Sequence, residues 1–340
     1  MSWRTRDDLG LEIVGHVHDA MRIPDHWTQD IGRGFIWWAE DFAQTIWSDV
    51  GMFQNASNTF RVHAETDLFR GRGHAQDFEV ELLSSMSDAS LSSVVFDQDK
   101  DTFKLHSSVY ATSDNQEYIE KLFMAACALQ VSEAHEIGHN LAKKLGAASA
   151  TSGHPVHGLR GQPDPMLGAI GQFFKPAGAA GSRWVGQPEW RQMEWAMERQ
   201  AQAFQCDHQT HLTAQFAWSI PDANGNYQVS SLEVTTEDEN PVLGHGLMFR
   251  LKLPIGLTPQ RCAHTALMLN NLERKEWLRC QFLGSWCNDH GALEFECFIP
   301  NTIYHSSILE AMSLAMAIRA EWASEQFHKW FEAARAGAPA

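Results

Sequence analysis

The chain lacks most of the motifs that carry recognisable chemistry. Its 340 residues contain no Gly-x-Ser-x-Gly elbow, no Walker A loop and no dinucleotide fingerprint, so the enzymes built on those devices are excluded. The six cysteines, Cys127, Cys206, Cys262, Cys280, Cys287 and Cys297, form no CxxC pair, and several fall inside apolar patterns, as small core residues do. That usage implies free thiols in a reducing compartment. No apolar run reaches the length of a membrane span. Residues Met1 to Asp8 lack the apolar centre of a secretion signal, so a cytoplasmic location is expected. Cations are scarce: 26 Lys+Arg against 42 Asp+Glu gives 26 − 42 = −16. An acidic chain repels nucleic acid and anionic membrane, and neither is expected as a partner.

What is present is an ordinary globular composition, 44% hydrophobic and 20% charged, over a length that suggests two domains. The 13 Trp residues could line a binding surface, but most fall at core spacing. The second half reads easily. Trp190, Met193, Met197, Ala201 and Phe204 recur at steps of three and four, predicting a helix from Pro188 to Gln205. His211 to Trp218 and Tyr227 to Val234 flank an Asp222-Ala223-Asn224-Gly225-Asn226 turn as a hairpin. Leu247 to Pro254 predicts a strand. Thr258 and Pro259 open a helix to about Lys275. Leu278 to Cys287 and Leu293 to Ile299 form a hairpin around Asn288-Asp289-His290-Gly291, and a long helix follows from about Ile303.

The first half repeats much of this. Phe35, Trp38, Phe42 and Ile46 predict a helical stripe, Thr59–Asp67 and Phe78–Leu83 strands, Val94–Phe96 and Phe103–Tyr110 a hairpin, and Asn115–Leu145 a long helix. Setting Ile119 against Ile308 pairs Phe123 with Met312, Ala126 with Ala315, Leu129 with Ile318 and Ala134 with Ala323. Upstream, one residue out of step, Phe103 and Leu105 meet Leu293 and Phe295, and Val109 meets Ile299. The expectation is an α+β chain of two tandem units of order α-β-β-β-α-β-β-α, antiparallel sheets packed against long helices, with the first copy lacking the middle helix because Ser84–Ser93 is short and Ser-rich. The units span 30–147 and 188–340, after an extension, 1–29. A Gly/Pro/Ala-rich linker, 148–187, reads as a strap or a functional loop.

The element order of the second half resembles the type III secretion chaperone-like fold, including YbjN-like proteins. Gly246–Pro254, Leu283-Gly284-Ser285-Trp286-Cys287 and Leu293–Pro300 leading into the last helix carry the likeness. It covers 188–334 well and 30–147 loosely. The resemblance implies a non-enzymatic protein that binds a protein partner, chaperone- or adaptor-like, as a homodimer or as a monomeric pseudo-dimer of its two copies.

One motif points elsewhere. His135-Glu136-Ile137-Gly138-His139 matches HExxH. On a helix the two imidazoles share a face and could hold one zinc, with Glu136 as general base of a metallohydrolase. The metzincin extension requires Gly at 142 and His at 145, where this chain has Ala142 and Leu145. His154 or His157 remain as third ligands. The second copy keeps Glu325 and His328 but has Ser324 in place of the first His, which suggests a shared helix face rather than a metal site. No zinc and no other cofactor is therefore expected. Cys206-x-His208-x-x-His211 is a weaker ligand cluster, Gly71-Arg72-Gly73-His74 a turn, and Glu237-Asp238-Glu239 a solvated loop. A structural subunit with a Trp-rich contact surface is a further alternative.

Overall fold

The computed structural model describes residues 2–54, 57–73, 77–85, 91–174, 181–222, 224–276, 278, 280–289 and 291–335. The expected turns at His74 and His290, the Pro176–Ala180 stretch, and most of the Ser-rich segment after Ser85 lie outside them. The first unit runs α1 (Leu9–Ala20), β1 (Thr28–Asp30), β2 (Gly34–Trp38), β3 (Ala43–Ser48), β4 (Met52–Gln54), β5 (Ser57–Arg70), α2 (Phe78–Ser85), β6 (Ser93–Asp97), β7 (Thr102–Ala111) and α3 (Gln116–Leu145). The linker holds β8 (Ala148–Ser149) and α4 (Pro165–Phe174). The second unit runs α5 (Glu189–Met197), β9 (Ala203–Cys206), β10 (His211–Trp218), β11 (Gln228–Thr235), β12 (Glu239–Asn240), β13 (Gly244–Gly256), α6 (Pro259–Lys275), β14 (Ser285–Asp289), β15 (Ala292–Pro300) and α7 (Ser306–Arg335).

The two sheets match strand for strand apart from β8, which pairs with β5 in the first. The first has the order β1-β2-β3-β5-β7-β6 and the second β9-β10-β11-β13-β15-β14, every pair antiparallel. Even the short strands correspond, since β4 pairs with β5 and β12 with β13. The register agrees as well. Val62 opposes Val109 as Leu247 opposes Ile299, and the central strand is irregular just after Asp67 in one unit and just after Lys252 in the other. A one-residue slip would turn every core side chain outward, so shared register and a shared irregularity are strong marks of likeness. One face of each sheet lies on its 30-residue helix, α3 or α7. There Val62, Ala64, Leu105, Val109, Leu247, Phe249, Phe295 and Ile299 are fully buried.

The first unit departs from the sequence expectation in three places. Phe35, Trp38, Phe42 and Ile46 do not form a helix; they lie on β2, on β3 and in the turn between, and their helical spacing comes from two strands folded back on each other. The leading helix is α1, within residues 1–29, capped by Asp8, whose carboxylate accepts the Leu11 amide at 2.9 Å. The middle helix is not missing. Phe78–Leu83, expected as a strand, is α2, where Phe78, Leu82 and Leu83 share one buried face. In the second unit the expected helix stops at Met197, because Ala203–Cys206 pairs with β10 as an edge strand.

The units pack on each other. α2 meets α6, β6 meets β14, and the cross contacts α6 to β6 and α2 to β14 exchange when the units are exchanged. That is the pattern of an isologous interface. Ser108 and Phe282 exchange backbone hydrogen bonds at 3.0 and 2.9 Å. Arg61 donates to the carbonyls of Glu273 and Glu276 at the end of α6, at 3.0 and 3.1 Å. Buried apolar residues of both units form one continuous cluster. No helix among the described residues is long and apolar enough to cross a membrane.

Candidate functional site

The HExxH segment lies on α3 beside the turn between β2 and β3. His135 pairs with Glu40, and the His139 Nε2 with Asp41 at 2.7 Å; Ser149 Oγ lies 3.1 Å from the His139 Nδ1. The two imidazoles thus each face a separate carboxylate. Glu136 is exposed and accepts a hydrogen bond from Ser132 at 3.4 Å. Gly138 has a packing reason: a Cβ there would stand 2.8 Å from the Phe42 ring. The motif residues together grip one β-turn. Its second-copy counterpart puts Phe327 where Gly138 stands, against Trp218 and Trp330.

The other ligand-type residues diverge. His154 is spent locally, its Nε2 lying 3.2 Å from the Thr28 carbonyl while its Nδ1 accepts the Val156 and His157 amides. His157 is exposed and stacks on His154. His208 faces Glu194 and His211 faces Glu233, while the Cys206 sulfur takes the His208 amide in a turn. Among the described residues no three of His, Cys, Asp and Glu are disposed to hold one metal ion.

The densest titratable cluster lies between the units, on the sheet face away from α3. Glu65 meets Lys104 and the His106 Nδ1, each at 3.2 Å, and Arg274 of α6; Lys104 also meets Asp97 at 2.8 Å. Burial pushes His106 down to about 3, so it is neutral. Burial alone would raise Glu65, but its hydrogen bond with His106 and the cations Arg274 and Lys104 hold it below the ordinary carboxylate range. Both groups are almost wholly buried, and the cluster reads as a joint rather than as a place for substrate.

A different feature has room for a ligand. A cavity of about 390 Å³ opens where the end of α1, the N-terminal half of α3, α4 and Ile303–Tyr304 meet. Met124, Ala125 and Ala128 form its floor, with Lys121 on the same stripe at helical spacing. Met166, Ile170 and Phe173 of α4 form a wall, and Met21 and Ile303 close two corners. The lining is nearly all apolar and rich in methionine, a side chain that adapts to varied partners. Phe173 is 61% exposed. Sequence reasoning misses this site because α4 falls within the Gly/Pro/Ala-rich linker. A local signal is nevertheless present: Asp164 caps the Met166 amide at 2.9 Å and Pro165 opens the helix. Among the described residues the Trp side chains do not gather on the surface; Trp3, Trp37, Trp38, Trp184, Trp190, Trp218, Trp286 and Trp322 are buried, and Trp195 is exposed.

The chain matches no known family, no curated protein and no solved structure.

Proposed function

We propose that the chain is a non-enzymatic protein-binding module, chaperone- or adaptor-like and cytoplasmic, in which two type III secretion chaperone-like or YbjN-like units act as a monomeric pseudo-dimer. The observation that carries this reading is the apolar, Met-rich cavity where both units and the linker helix converge. Apolar surface left open at such a junction is the usual mark of a docking site. The engagement of His135 and His139 by turn carboxylates supports the non-enzymatic side of the reading. The −16 charge argues against nucleic acid and anionic membrane as partners.

Site-specific photo-crosslinking in the native host tests it. A crosslinker at Met124 is expected to give a discrete adduct with another protein, and one at Glu136, on the same helix but outside the cavity, none. Equal labelling from both positions, or none from Met124, would overturn the proposal.

A further inference from the structure

We infer that the cavity on α3 receives an amphipathic helix of a partner protein, apolar stripe inward, with a carboxylate at its edge opposite Lys121. This rests on the protein-binding reading above and names the partner's chemistry. The duplication supplies the template. In the second unit, α5 lies along α7 with Trp190, Met193 and Met197 fully buried. Its counterpart α1 lies chiefly on β3 and β5 and touches α3 only slightly. Ser313 and Ala317, which match Met124 and Ala128, are buried in the second unit, whereas Met124 is only partly buried in the first, so this stretch of α3 is the less covered of the two. The cavity is also continuous with an existing helix-on-helix contact, because α4 is already seated on α3 and provides the far wall. An arriving helix would extend that contact rather than create a new kind of surface, the mode in which grooves take amphipathic helices.

Charge sets the polarity. Lys121 is the one charged side chain of the lining among the described residues. Its present partner, Glu117, is 78% exposed and 3.3 Å away, a surface pair one helical turn apart. Such pairs are weak, so an incoming carboxylate can take its place.

The test uses the full-length protein and fluorescein-labelled synthetic peptides read by anisotropy. One peptide is a Leu/Ala amphipathic helix with Glu at its edge, and a second has Lys there. A third has the Glu-edged composition interrupted by proline, and unlabelled dodecanoate serves as a competitor. The Glu-edged helix is expected to bind about two- to fivefold tighter than the Lys-edged one, with Lys121→Glu reversing the order. Lys121 is half-exposed, so that variant leaves the fold intact. Met124→Glu is expected to weaken both helices on the order of tenfold, because it puts a charge on the apolar floor. Equal binding of the proline-interrupted peptide would overturn the helix while leaving a protein-binding site. An unchanged order in Lys121→Glu would overturn the carboxylate. Dodecanoate binding with no peptide binding would overturn both this inference and the reading beneath it.

Discussion

Residue 130 of α3 and residue 319 of α7 stand at the same place on two matching helices, and both are wholly buried and polar. The first is a glutamine. Its carbonyl accepts from Thr66 at 2.8 Å, and its amide donates to the Ala64 carbonyl and to Ser107, each at 3.2 Å. The second is an arginine. It grips Glu273 through two nitrogens, donates to the Gln281 carbonyl at 2.8 Å and lies 3.8 Å over the Phe295 ring. The matching sheet positions explain the switch. Where the first unit has Thr66 and Ser107, the register places Leu251 and Cys297 in the second. With no sheet hydroxyls to meet it, the second polar residue draws its partner from α6. That helix has 17 residues against 8 in α2. The same turn of α6 sends Glu273 inward to Arg319 and Arg274 outward to Glu65 of the first unit. The longer middle helix is thus the real difference between the copies, and it serves both.

The largest effect should come from breaking the ionic version. Arg319→Met leaves Glu273 buried and uncompensated, and a loss of about 3–5 kcal/mol is expected in urea unfolding. Adding Glu273→Gln should recover part of it. Gln130→Leu in the neutral version should cost less, about 1–3 kcal/mol, because it strands hydroxyl and carbonyl groups but no charge. Equal losses at the two positions would erase the distinction between the copies.

The sheet faces turned away from the long helices should differ in pH response. His106 is held neutral and Glu65 ionised in the fold, and both lie below their unfolded values. Their stability is present above those values and is lost as pH falls, beginning near 6.5 for His106. The slope is at most about 1.4 kcal/mol per pH unit for each group. Asp49, Arg61, His63, Asp67, Asp97, Lys104 and Arg274 face the same cluster. At the matching place in the second sheet, burial raises Glu296 despite Arg250. Its sign is opposite: it favours the fold in acid and costs stability as pH rises through the carboxylate range. Urea midpoints measured from about pH 7 down to about pH 4 should fall less steeply in His106→Gln than in the parent. Glu296→Gln should gain stability at neutral pH. A change of the same sign in both would break the contrast.

The smallest effect is expected at the HExxH segment. Glu136→Gln should stay within about 0.5 kcal/mol of the parent, as exposed substitutions do. His135→Ala and His139→Ala should leave the metal content of protein purified without added zinc unchanged. A ratio near one that drops in either variant would restore the zinc reading.

The long helices, the second unit and the duplicated register are legible in the sequence because each rests on local periodicity. Ile119 and Ile308, Phe123 and Met312 sit on faces that repeat every three to four residues and stay buried. The β2–β3 hairpin is not legible, because Phe35, Trp38, Phe42 and Ile46 imitate a helix when two short strands are joined by a tight turn. α2 passes for a strand because Phe78, Val80 and Leu82 alternate as well as they spiral. The joint between units is invisible for another reason. Glu65 and Arg274 are 209 residues apart, and nothing local marks either as half of a pair. HExxH is legible as a motif, but Asp41 and Phe42, which account for its form, lie far upstream in the chain.

The clasp formed by α6 also has a place in time. On a ribosome the six strands on the main path of the first sheet, β7 the last of them, are made once Ala111 has emerged, but the chain that covers their ionic face ends at Phe282, 282 − 111 = 171 residues later. At about 5–20 residues per second that interval is on the order of 10–30 s. Throughout it a nascent chain would present Glu65, Lys104 and His106 to water, where their charges are well solvated. The ionic part of the joint is one that a half-made protein can expose without sticking to its neighbours.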